Sequence, residues 1–351
     1  MIILGVMSGS SLDGLDIAAY NINQDTEESN PVIGRLDGVT VKYNHIRTML
    51  ERASDRSSLK EILVLEYDYS KWVADQITAQ IAAMKVKPDY LSIHGHTVTH
   101  LPDRHMTFQI GHGGIIASLT GIPTVTDFRR GDMALKGKGT PLTPVLDALE
   151  YSQYGLVVNL GGICNVSYSY DGQRYGYDLF PCNQVFNFFA KKHGWEYDED
   201  GKFAQQGKMD EGLYQSLVTH RLLTAHKPQS IDNSWIKHKF IPEIEYYNSS
   251  DKDKLYTFTC AIANVIASHA DKLNAETVYI TGGGIHNAFL KAQITYQLGE
   301  KQLIVPNTAD TDYKECRLMA LLAYYRVTGQ DNILATVTGA SRNSIGGAVY
   351  L

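Results

Sequence analysis

The segment GVMSGSSLDGLDIA, residues 5–18, decides the fold, because one apolar run enters a turn rich in glycine and serine and a second apolar run leaves it. Ile2–Ser8 and Leu15–Ile22 are therefore predicted to be the two strands of a hairpin. The turn lacks the Gly-Lys-Ser/Thr ending of a Walker loop and joins two strands instead of opening a helix. Its backbone N–H groups could converge on a polyphosphate, but a plain hairpin turn explains the segment better when it is taken alone.

Two further glycine turns follow predicted strands, NLGGICN at residues 159–165 and ITGGGIHN at residues 280–287. A helix beginning at His286 would point its N-terminal N–H groups and partial positive charge at a ligand beside the second turn. The glycines that could lie against a nucleotide are Gly161, Gly162, Gly282, Gly283 and Gly284. By pattern alone, a nucleotide-binding protein and an α/β enzyme without a nucleotide are equally compatible with these turns.

The composition limits the class of protein. The chain has 351 residues, of which 44% are hydrophobic and 20% charged, with a formal net charge of -6. This length predicts two domains, and the acidic balance disfavours a nucleic-acid partner, which requires clustered Lys and Arg. The first residues are predicted to form a strand and not a signal peptide, and no apolar run is long enough for a transmembrane helix. The four cysteines form no zinc or redox pattern, which favours a reducing cytoplasm. The acidic charge balance favours a small-molecule substrate.

The order of elements predicts a mixed α/β architecture. A helix is predicted over residues 60–85, where apolar side chains recur at helical spacing. The strand pattern restarts near residue 150 and includes a hairpin turn at Asp171-Gly172. The predicted domains are residues 1–150 and 151–334, with a C-terminal helix over residues 335–351 that joins the first domain.

Two carboxylates are candidates for chemistry. Asp178 is predicted to end a strand, and a carboxylate there could take a proton from an attacking water or hydroxyl. A turn-initiating or helix-capping role is the alternative for this residue. Glu315 lies at a predicted helix start, where interaction with the helix dipole is a sufficient explanation.

Three histidines, His94, His96 and His100, are closely spaced in the sequence. Their spacing spans a strand end and a turn without a nearby acidic ligand, which disfavours a zinc site. No other metal ligands are predicted.

A basic pair, Arg129-Arg130, lies in the stretch DFRRGDMALKGKGTPL. A guanidinium from this pair could bind a substrate oxyanion in a bidentate manner. A solvated loop made mobile by Gly137 and Gly139 explains the same residues equally well.

Taken together, the motifs resemble the anhydro-N-acetylmuramic acid kinase family of the sugar kinase/hsp70/actin superfamily. In chain order they are GVMSGSSLDGLDIA, HGHTVTHLP, TFQIGHGGIIA, TVTDFRRGDMALKGKGTPL, VVNLGGICNVS, VYITGGGIHNAFL, DYKECRLMALLA and VTGAS. The resemblance covers nearly the whole chain. It implies an α/β, two-domain actin/hexokinase-like (ribonuclease H-like) ATPase fold with an interdomain cleft.

The resemblance also implies an activity. Kinases of this family use ATP and water to open the 1,6-anhydro bond of anhydro-N-acetylmuramic acid and phosphorylate its 6-oxygen, giving N-acetylmuramic acid 6-phosphate in peptidoglycan recycling. ATP with Mg²⁺ is the implied cofactor, and a homodimer is the implied assembly. A related kinase of another amino sugar and a catalytically silent nucleotide- or sugar-binding sensor are the alternatives.

Site residues follow from the same resemblance. The catalytic base falls on Asp178, which would draw a proton from water attacking the anomeric carbon. The ATP-binding signature falls on Gly9, Ser10, Ser11, Leu12, Asp13, Gly14, Leu15 and Asp16. The implied sugar contacts are Thr97, Arg129, Arg130, Asn183 and Glu315.

The chain departs from the family pattern beside the implied base. Residues 178–183 read DLFPCN, whereas the family pattern is Asp-Thr-Gly-Pro-Gly/Ala-Asn. Phe180 in place of glycine adds bulk, which could reshape the sugar pocket or mark a divergent branch. His96 stands where glutamine is usual, and His112 where an acidic or amide residue is common.

Overall fold

The hairpin predicted at the start of the chain is present and lies inside a larger sheet. The computed structural model describes residues 1–9, 14–26, 29–43, 45–53, 58–221, 229–306 and 313–351. Strand β1 is Ile2–Ser8 and strand β2 is Leu15–Asn23, and they run antiparallel with Ser8 opposite Leu15. The predicted pair of strands is therefore confirmed.

The remaining elements alternate between strands and helices. The other strands of the described residues are β3 Val32–Val41, β4 Tyr90–Ile93, β5 His96–Leu101, β6 Met106–Ile110, β7 Thr124–Thr126, β8 Leu156–Leu160, β9 Ile163–Tyr170, β10 Gln173–Pro181, β11 Thr277–Thr281, β12 Gln302–Ile304 and β13 Ala348–Tyr350. The α-helices are α1 Ile46–Ala53, α2 Leu59–Met84, α3 Gly113–Thr120, α4 Arg130–Ala134, α5 Pro144–Glu150, α6 Asn183–Lys192, α7 Glu211–Val218, α8 Asn233–Trp235, α9 Ile241–Glu245, α10 Asp251–Lys272, α11 Ala288–Leu298, α12 Lys314–Thr328 and α13 Ala335–Thr338. None of the helices in these described ranges has the length and apolar character needed to span a bilayer.

Two compact units divide the chain, Met1–Leu149 with Asp312–Leu351 and Glu150–Thr311. The first contains a six-stranded sheet in the order β13-β7-β4-β1-β2-β3, and the second a five-stranded sheet in the order β10-β9-β8-β11-β12. In each unit the first strand pairs antiparallel with the second, the second antiparallel with the third, and the first parallel with the fourth. This shared order and polarity is the ribonuclease H-like arrangement, and it occurs twice.

Helices cover both faces of the first sheet because alternate residues of β1 point in opposite directions. Leu4 and Val6 belong to one core cluster together with Trp72 of α2. Ile3 belongs to a second cluster together with Leu321 of α12. The predicted helix over residues 60–85 is thus confirmed as α2, and its buried side faces the sheet.

The two faces of the second sheet differ in character. On one face Val158 and Ile280 join a large apolar cluster with Phe258 of α10. On the other face Val157 and Tyr279 belong to a much smaller cluster. The second face therefore has room for polar side chains.

Three sequence predictions are corrected. Residues 335–351 do not form one helix: α13 is a single short turn, and β13 pairs antiparallel with β7 at the edge of the first sheet. The chain also returns to the first unit before residue 334, because α12 buries its apolar side chains in the core beneath β1. The helix predicted from His286 begins instead at Ala288, after a 3₁₀ turn at Gly283–His286, and Asn287 caps it by accepting the N–H of Leu290 at 2.9 Å.

Gly5 of β1 is the position at which α12 comes closest to the first sheet. A Cβ atom at this position would collide with the backbone carbonyl of Cys316 in the first turn of α12. Backbone cannot move aside as a flexible side chain can. We expect Gly5→Ala to lower the free energy of unfolding by about 2–4 kcal/mol, measured by urea denaturation.

The matched control is Gly131→Ala in α4, where a Cβ atom would meet nothing within 4 Å. Alanine is favoured over glycine in a helix, so the control should gain about 0.5–1 kcal/mol. Equal stability of the Gly5→Ala protein and the wild type would contradict the close approach of α12.

Candidate active site

The signature turn of the first unit is described only at its two ends, since Ser10, Ser11, Leu12 and Asp13 lie outside the described residues. Gly9 follows β1, and Gly14 precedes β2 where a Cβ atom would lie 2.7 Å from the carbonyl oxygen of Val41. The neighbouring strand β3 therefore requires glycine at position 14. Leu15 is 1% exposed and packs in the core, so only its backbone can face a ligand.

Asp16 and Glu315 are two carboxyl groups of the first unit that interact electrostatically. Asp16 lies on β2 and accepts a hydrogen bond of 2.6 Å from Oγ1 of Thr40. Glu315 lies in the first turn of α12 and is exposed to solvent. Even so, loss of hydration among the surrounding protein atoms raises the pKa of Glu315, the charge of Asp16 raises it further, and Lys314 and Arg129 lower it. The proximity of these charges was not evident in the sequence.

The two arginines of the basic pair have different surroundings. Arg129 is half-buried, and its charge helps to lower the pKa of His94 and of His100. Arg130 is exposed, with its Nη1 atom 3.6 Å from Oδ2 of Asp127 and its guanidinium 5.5 Å from the ring centre of Phe108. Arg129 therefore lies among the polar groups of the first unit, whereas Arg130 lies on its surface.

The glycine-bearing stretch after these arginines is folded around a buried carboxylate. Asp132 is 0% exposed and accepts hydrogen bonds of 2.7 Å from the N–H of Gly139 and from Oγ1 of Thr338. A Cβ atom at Gly137 would collide with the same carboxylate. The stretch is thus tied to the VTGAS motif near the end of the chain, and the interpretation as a loosely held, solvated loop is wrong for these residues.

His94 and His96 are buried and His100 is half-buried, and each makes its own hydrogen bond. Burial, as the main cause, lowers the pKa of His94 to about 3 and the pKa values of His96 and His100 to about 4, so all three are neutral near pH 7. Nδ1 of His96 is hydrogen-bonded to Oγ of Ser8 at 2.9 Å, and Oγ of Ser8 also bonds Oη of Tyr43 at 2.5 Å. Among the described residues no group of three or more His, Cys, Asp or Glu side chains could hold a metal ion.

Thr97 and His112, two further residues of the family motifs in the first unit, are hydrogen-bonded to neighbouring residues. Thr97 is half-buried on β5, and its hydroxyl accepts a weak hydrogen bond of 3.4 Å from Nε2 of Gln109. His112 caps α3 by accepting the N–H of Gly114 at 3.1 Å. An acidic or amide side chain could make the same cap, so His112 keeps the structural role of the residues it replaces.

Asp178 lies inside β10, which continues to Pro181, so the prediction that it ends a strand is wrong. A register shift between Asp178 and Phe180 bends the strand immediately after the carboxylate. Asp178 is 5% exposed, and its Oδ2 atom accepts the N–H of Ile231 at 2.9 Å. The backbone N–H of Asp178 donates to the carbonyl of Gln229 at 3.1 Å, and Nε2 of Gln229 donates to the carbonyl of Asp178 at 2.7 Å. The segment 229–231 therefore holds the carboxylate from the edge of the sheet.

A row of polar residues crosses the second sheet from this carboxylate. Asp178 lies opposite Asn165 of β9, Asn165 opposite Asn159 of β8, and Asn159 beside Thr281 of β11. Directly paired residues point to the same face of a sheet, which here is the face with few apolar side chains. Oγ1 of Thr281 donates to Oδ1 of Asn159 at 3.4 Å. Sequence reasoning missed this row, because its members lie on four strands and only the register of those strands aligns them.

The glycine turns of the second unit are adjacent. Strands β8 and β11 are parallel neighbours, so the turns that follow them lie at the same edge. At Gly282, with φ of +88°, a Cβ atom would lie 2.6 Å from Oδ1 of Asn159. At Gly283, by contrast, a Cβ atom would meet only Nδ2 of Asn183 at 3.9 Å. The predicted turns therefore form one surface, with Gly283 at its open side.

Asn183 links these turns at the start of α6. Its Nδ2 atom donates to the carbonyl of Leu160 at 3.0 Å, and its backbone N–H donates to the carbonyl of Gly161 at 3.1 Å. The N–H of Cys182 donates to the carbonyl of Gly162 at 2.9 Å. A Cβ atom at Gly284 would lie 3.2 Å from Oδ1 of Asn183. The asparagine common to the family pattern thus connects both turns.

The side chains that differ from the family pattern beside Asp178 are buried in the core of the second unit. Phe180 and Cys182 are both 0% exposed and belong to the large apolar cluster of the second unit. The added phenyl ring therefore fills the interior and does not line the polar face that carries Asp178. The idea that Phe180 narrows a sugar pocket is not supported by this position.

The repeated sheet topology, with glycine turns beside a fixed carboxylate, defines a protein of the ribonuclease H-like ATPase class. A family model described as anhydro-N-acetylmuramic acid kinase matches residues 1–351. A relative of that name from Aliivibrio fischeri is 30% identical over 99% of this chain and 98% of its own length, and one from Pasteurella multocida is 30% identical over 100% and 97%. Among solved structures, a ROK hexokinase from Thermus thermophilus aligns with a TM-score of 0.44 and 10% identity over 93% of this chain and 100% of that one. The chain belongs to the anhydro-N-acetylmuramic acid kinase family.

The buried histidines predict a loss of stability in mild acid. The pKa of His96 is about 4 in the folded protein and about 6.5 when unfolded, so the unfolded chain binds more protons below pH 6.5. The contribution of His96 to the free energy of unfolding is therefore fully present above pH 6.5 and is lost as the pH falls toward 4. The free energy of unfolding should fall between pH 7 and pH 5 in both proteins. The decrease should be about 1–2 kcal/mol smaller for His96→Gln than for the wild type, measured by urea denaturation.

Glutamine can keep the hydrogen bond to Ser8, so the substitution chiefly removes the titrating group. The exposed His238→Gln is the matched control and should follow the wild-type pH dependence. If His96→Gln loses as much stability in acid as the wild type, His96 is not held neutral by burial.

Proposed function

We propose that this chain is an ATP-dependent kinase that opens the 1,6-anhydro bond of anhydro-N-acetylmuramic acid with water and phosphorylates the 6-oxygen. The product is N-acetylmuramic acid 6-phosphate, which enters cell-wall recycling. The observation that carries this proposal is the buried Asp178 carboxylate, held by the N–H of Ile231 in a polar row that reaches the glycine turns. Membership of the family supports the same reaction.

Asp178 serves as the general base in this proposal. Its carboxylate takes a proton from the water that attacks the anomeric carbon, while the bond from that carbon to the 6-oxygen breaks. The 6-oxygen then attacks the γ-phosphorus of ATP, the bond from that phosphorus to the β,γ-bridging oxygen breaks, and ADP leaves. The backbone contacts from residues 229–231 fix the orientation of the carboxylate, so little reorganisation is needed when the proton moves. A mobile carboxylate at this position would lose that advantage.

The glycine turns of the second unit bind the nucleotide. Gly161, Gly162 and Gly282–Gly284 present backbone at one edge of the sheet, and a phosphate can approach at Gly283, where a Cβ atom would meet only Nδ2 of Asn183 at 3.9 Å. In the first unit, the signature turn from Gly9 to Asp16 is assigned to the same ligand through the family resemblance. The proposed use of ATP also indicates a cytoplasmic protein, and a homodimer is the assembly that the resemblance implies.

Magnesium fits these residues only as a companion of the nucleotide. The described residues contain no cluster of three potential ligands, so ATP phosphates, water and at most one or two carboxylates such as Asp16 would hold the ion. When bound, Mg²⁺ offsets the negative charge of the phosphates during transfer.

Arg129, Glu315 and Thr97 are assigned to the sugar. Muramic acid carries a carboxylate on its lactyl group, and a guanidinium is the side chain best suited to bind a carboxylate. The half-buried Arg129 has the appropriate surroundings, whereas Arg130 is already paired at the surface. Glu315 can accept hydrogen bonds from sugar hydroxyls. Asn183 is assigned to holding the nucleotide turns, because its amide is bonded to Leu160.

A kinase of another amino sugar is favoured by one observation only, the histidine at position 96 where glutamine is usual. Its side chain is bonded to Ser8 and is buried, so it affects the signature turn more directly than the sugar. A panel containing anhydro-N-acetylmuramic acid, N-acetylmuramic acid and N-acetylglucosamine distinguishes the two functions. Faster turnover of an amino sugar that lacks the anhydro bond would favour the alternative.

The role of Asp178 predicts a selective loss of catalysis. Asp178→Asn keeps the shape of the side chain but removes the base, so turnover of anhydro-N-acetylmuramic acid with ATP and Mg²⁺ should fall by about two to four decades. Formation of the 6-phosphate is measured by mass spectrometry, and nucleotide binding by calorimetry. Binding of ATP should be retained.

Asp171→Asn, at the exposed hairpin turn before β10, is the control and should keep wild-type turnover. Near-wild-type turnover of Asp178→Asn would remove this residue from the mechanism. Absence of the 6-phosphate with the wild-type protein would defeat the proposed function itself.

The different surroundings of the two arginines predict different kinetic effects. Arg129→Ala should lower kcat/KM for the sugar by about ten- to a hundredfold, because a charged hydrogen-bonding partner of the substrate is lost. Arg130→Ala should change it by less than about threefold, because the Arg130 side chain is exposed and its nearest carboxylate oxygen, Oδ2 of Asp127, is 3.6 Å away. Steady-state kinetics at saturating ATP measure both. A larger loss with Arg130→Ala than with Arg129→Ala would reverse the assignment.

A further inference from the structure

Ser8, the last residue of β1, is a buried polar residue on a face of the strand that is otherwise apolar. Leu4 and Val6 point to the side of the sheet that α2 covers, and alternation along the strand gives Ser8 the same direction. Ser8 is 4% exposed. The strand pattern favours an apolar side chain at this position, next to the cluster that contains Trp72. A hydroxyl group buried here requires hydrogen-bonding partners.

Two side chains from distant segments are those partners. Nδ1 of His96, which is 8% exposed, lies 2.9 Å from Oγ of Ser8, and Oη of the half-buried Tyr43 lies 2.5 Å from the same atom. A hydroxyl group carries one proton, so Ser8 donates to one partner and accepts from the other. Ser8, His96 and Tyr43 therefore form one continuous chain of hydrogen bonds, the Ser8 network, and loss of either partner breaks it.

The backbone at Gly95 brings His96 to Ser8. Strand β4 lies beside β1 and runs parallel to it, so the chain leaves both strands at the same edge of the sheet. Gly95 has φ of +78°, and a Cβ atom there would lie 2.5 Å from the carbonyl oxygen of Ile110, so this turn requires glycine. Tyr69 of α2 packs against the His96 ring, with the ring centres 6.4 Å apart. The position of His96 is therefore set by packing as well as by its bond to Ser8.

Tyr43 approaches Ser8 from the other side of the hairpin. Leu15 of β2 lies opposite Ser8 of β1 and also opposite Val41, the last residue of β3. Tyr43 follows two residues later, and its ring centre is 5.4 Å from that of Trp72. The Ser8 network thus joins the end of β1 to the chain that leaves β3 and to the start of β5.

The Ser8 network lies where the signature turn begins. Gly9 follows Ser8 directly, and Leu15, opposite Ser8, is the first residue of β2 after the turn. In the proposed function this turn binds the triphosphate of ATP. A site whose flanking strand is not fixed is competent for binding only part of the time, and its apparent affinity falls by that fraction. Bonds that fix the side chain of Ser8 therefore favour binding of the nucleotide.

We propose that His96 and Tyr43 are positioning residues for the nucleotide: their bonds to Ser8 hold the end of β1, and with it the start of the signature turn, in the conformation that binds the triphosphate of ATP. This inference rests on the proposed binding of ATP by that turn. Neither residue touches the nucleotide in this arrangement. Their effect reaches ATP through Ser8 and the backbone that follows it.

The test compares Tyr43→Phe with Tyr324→Phe, each of which removes one tyrosine hydroxyl group from the first unit. Oη of Tyr324 donates to Oε1 of Gln24 at 2.9 Å, and Gln24 follows the end of β2 that is remote from the signature turn. For Tyr43→Phe the KM and the Kd for ATP should rise about three- to tenfold, because the competent fraction falls, while kcat changes by less than about twofold. Steady-state kinetics at saturating sugar and calorimetry with ATP and Mg²⁺ measure these constants.

Tyr324→Phe should keep the wild-type KM and Kd for ATP, even if its Tm falls. A purely structural hydroxyl group at position 43 would likewise affect only the Tm. A lower Tm of Tyr43→Phe with an unchanged KM for ATP therefore overturns the inference.

Substitution of His96 tests the other end of the Ser8 network. His96→Leu should weaken ATP binding to a similar extent, and His96→Gln should restore most of the lost affinity, because an amide can bond the hydroxyl group of Ser8. Equal affinities of His96→Leu and His96→Gln for ATP would contradict a role of the hydrogen bond. If His96→Leu does not fold, Tyr43→Phe alone decides.

Binding of ATP by the wild-type protein separates this inference from the proposed function. If the wild type binds ATP and forms the 6-phosphate, and Tyr43→Phe binds ATP equally tightly, the positioning role is overturned and the kinase function stands. If the wild type binds no ATP, the proposed function fails and the positioning role fails with it.

Discussion

The contact of α12 with β1 at Gly5 is the constraint on which the first unit depends. The backbone of the helix lies so close to the strand that position 5 admits no side chain, so the height of α12 above the sheet is set by two backbones and not by adaptable side chains. The positions of the residues in the first turn of α12 follow from this close approach. Cys316 is pressed into the core, Lys314 reaches Asp147, and Glu315 remains outside. Packing at Gly5, which has no reactive side chain, thus fixes the position of Glu315, the candidate sugar contact.

In the second unit the corresponding constraint is strand register. Pairing of β10, β9, β8 and β11 brings Asp178, Asn165, Asn159 and Thr281 into one row, and a shift of one residue would turn any of these side chains to the opposite face. The large apolar cluster on that opposite face opposes such a shift, because polar side chains would enter it. The same apolar face accommodates Phe180, which explains how the family pattern can change beside the candidate base without altering the polar face.

Buried polar groups in the first unit serve to connect distant motifs. Asp132, from the arginine-containing stretch, is bonded to Thr338 of the VTGAS motif, and His96 is bonded to Ser8 at the edge of the signature turn. Each contact joins segments that are far apart in the chain but were recognisable separately as motifs. Their recurrence in family order therefore reflects contacts as well as chemistry, and a motif residue need not touch a ligand.

The amino-acid sequence by itself determined the elements with strong local patterns: the hairpin of β1 and β2, the long helix α2, the Asp171-Gly172 turn and the glycine turns after β8 and β11. Periodicity and glycine placement act over a few residues, so they can be recognised without the fold. The ordered motifs were also sufficient to identify the family, and they predict Asp178 and Glu315 as site residues.

Only the tertiary structure decided that Arg129 and not Arg130 lies among the polar groups, that Phe180 enters the core, and that residues 348–350 form a strand instead of a helix. It also revealed the polar row across the second sheet, in which Thr281 and Asn159 are 122 residues apart, and the ion pair of Asp147 with Lys314, which are 167 residues apart. The physical reason is that burial, register and charge proximity depend on which segments pack together, and no local pattern carries that information.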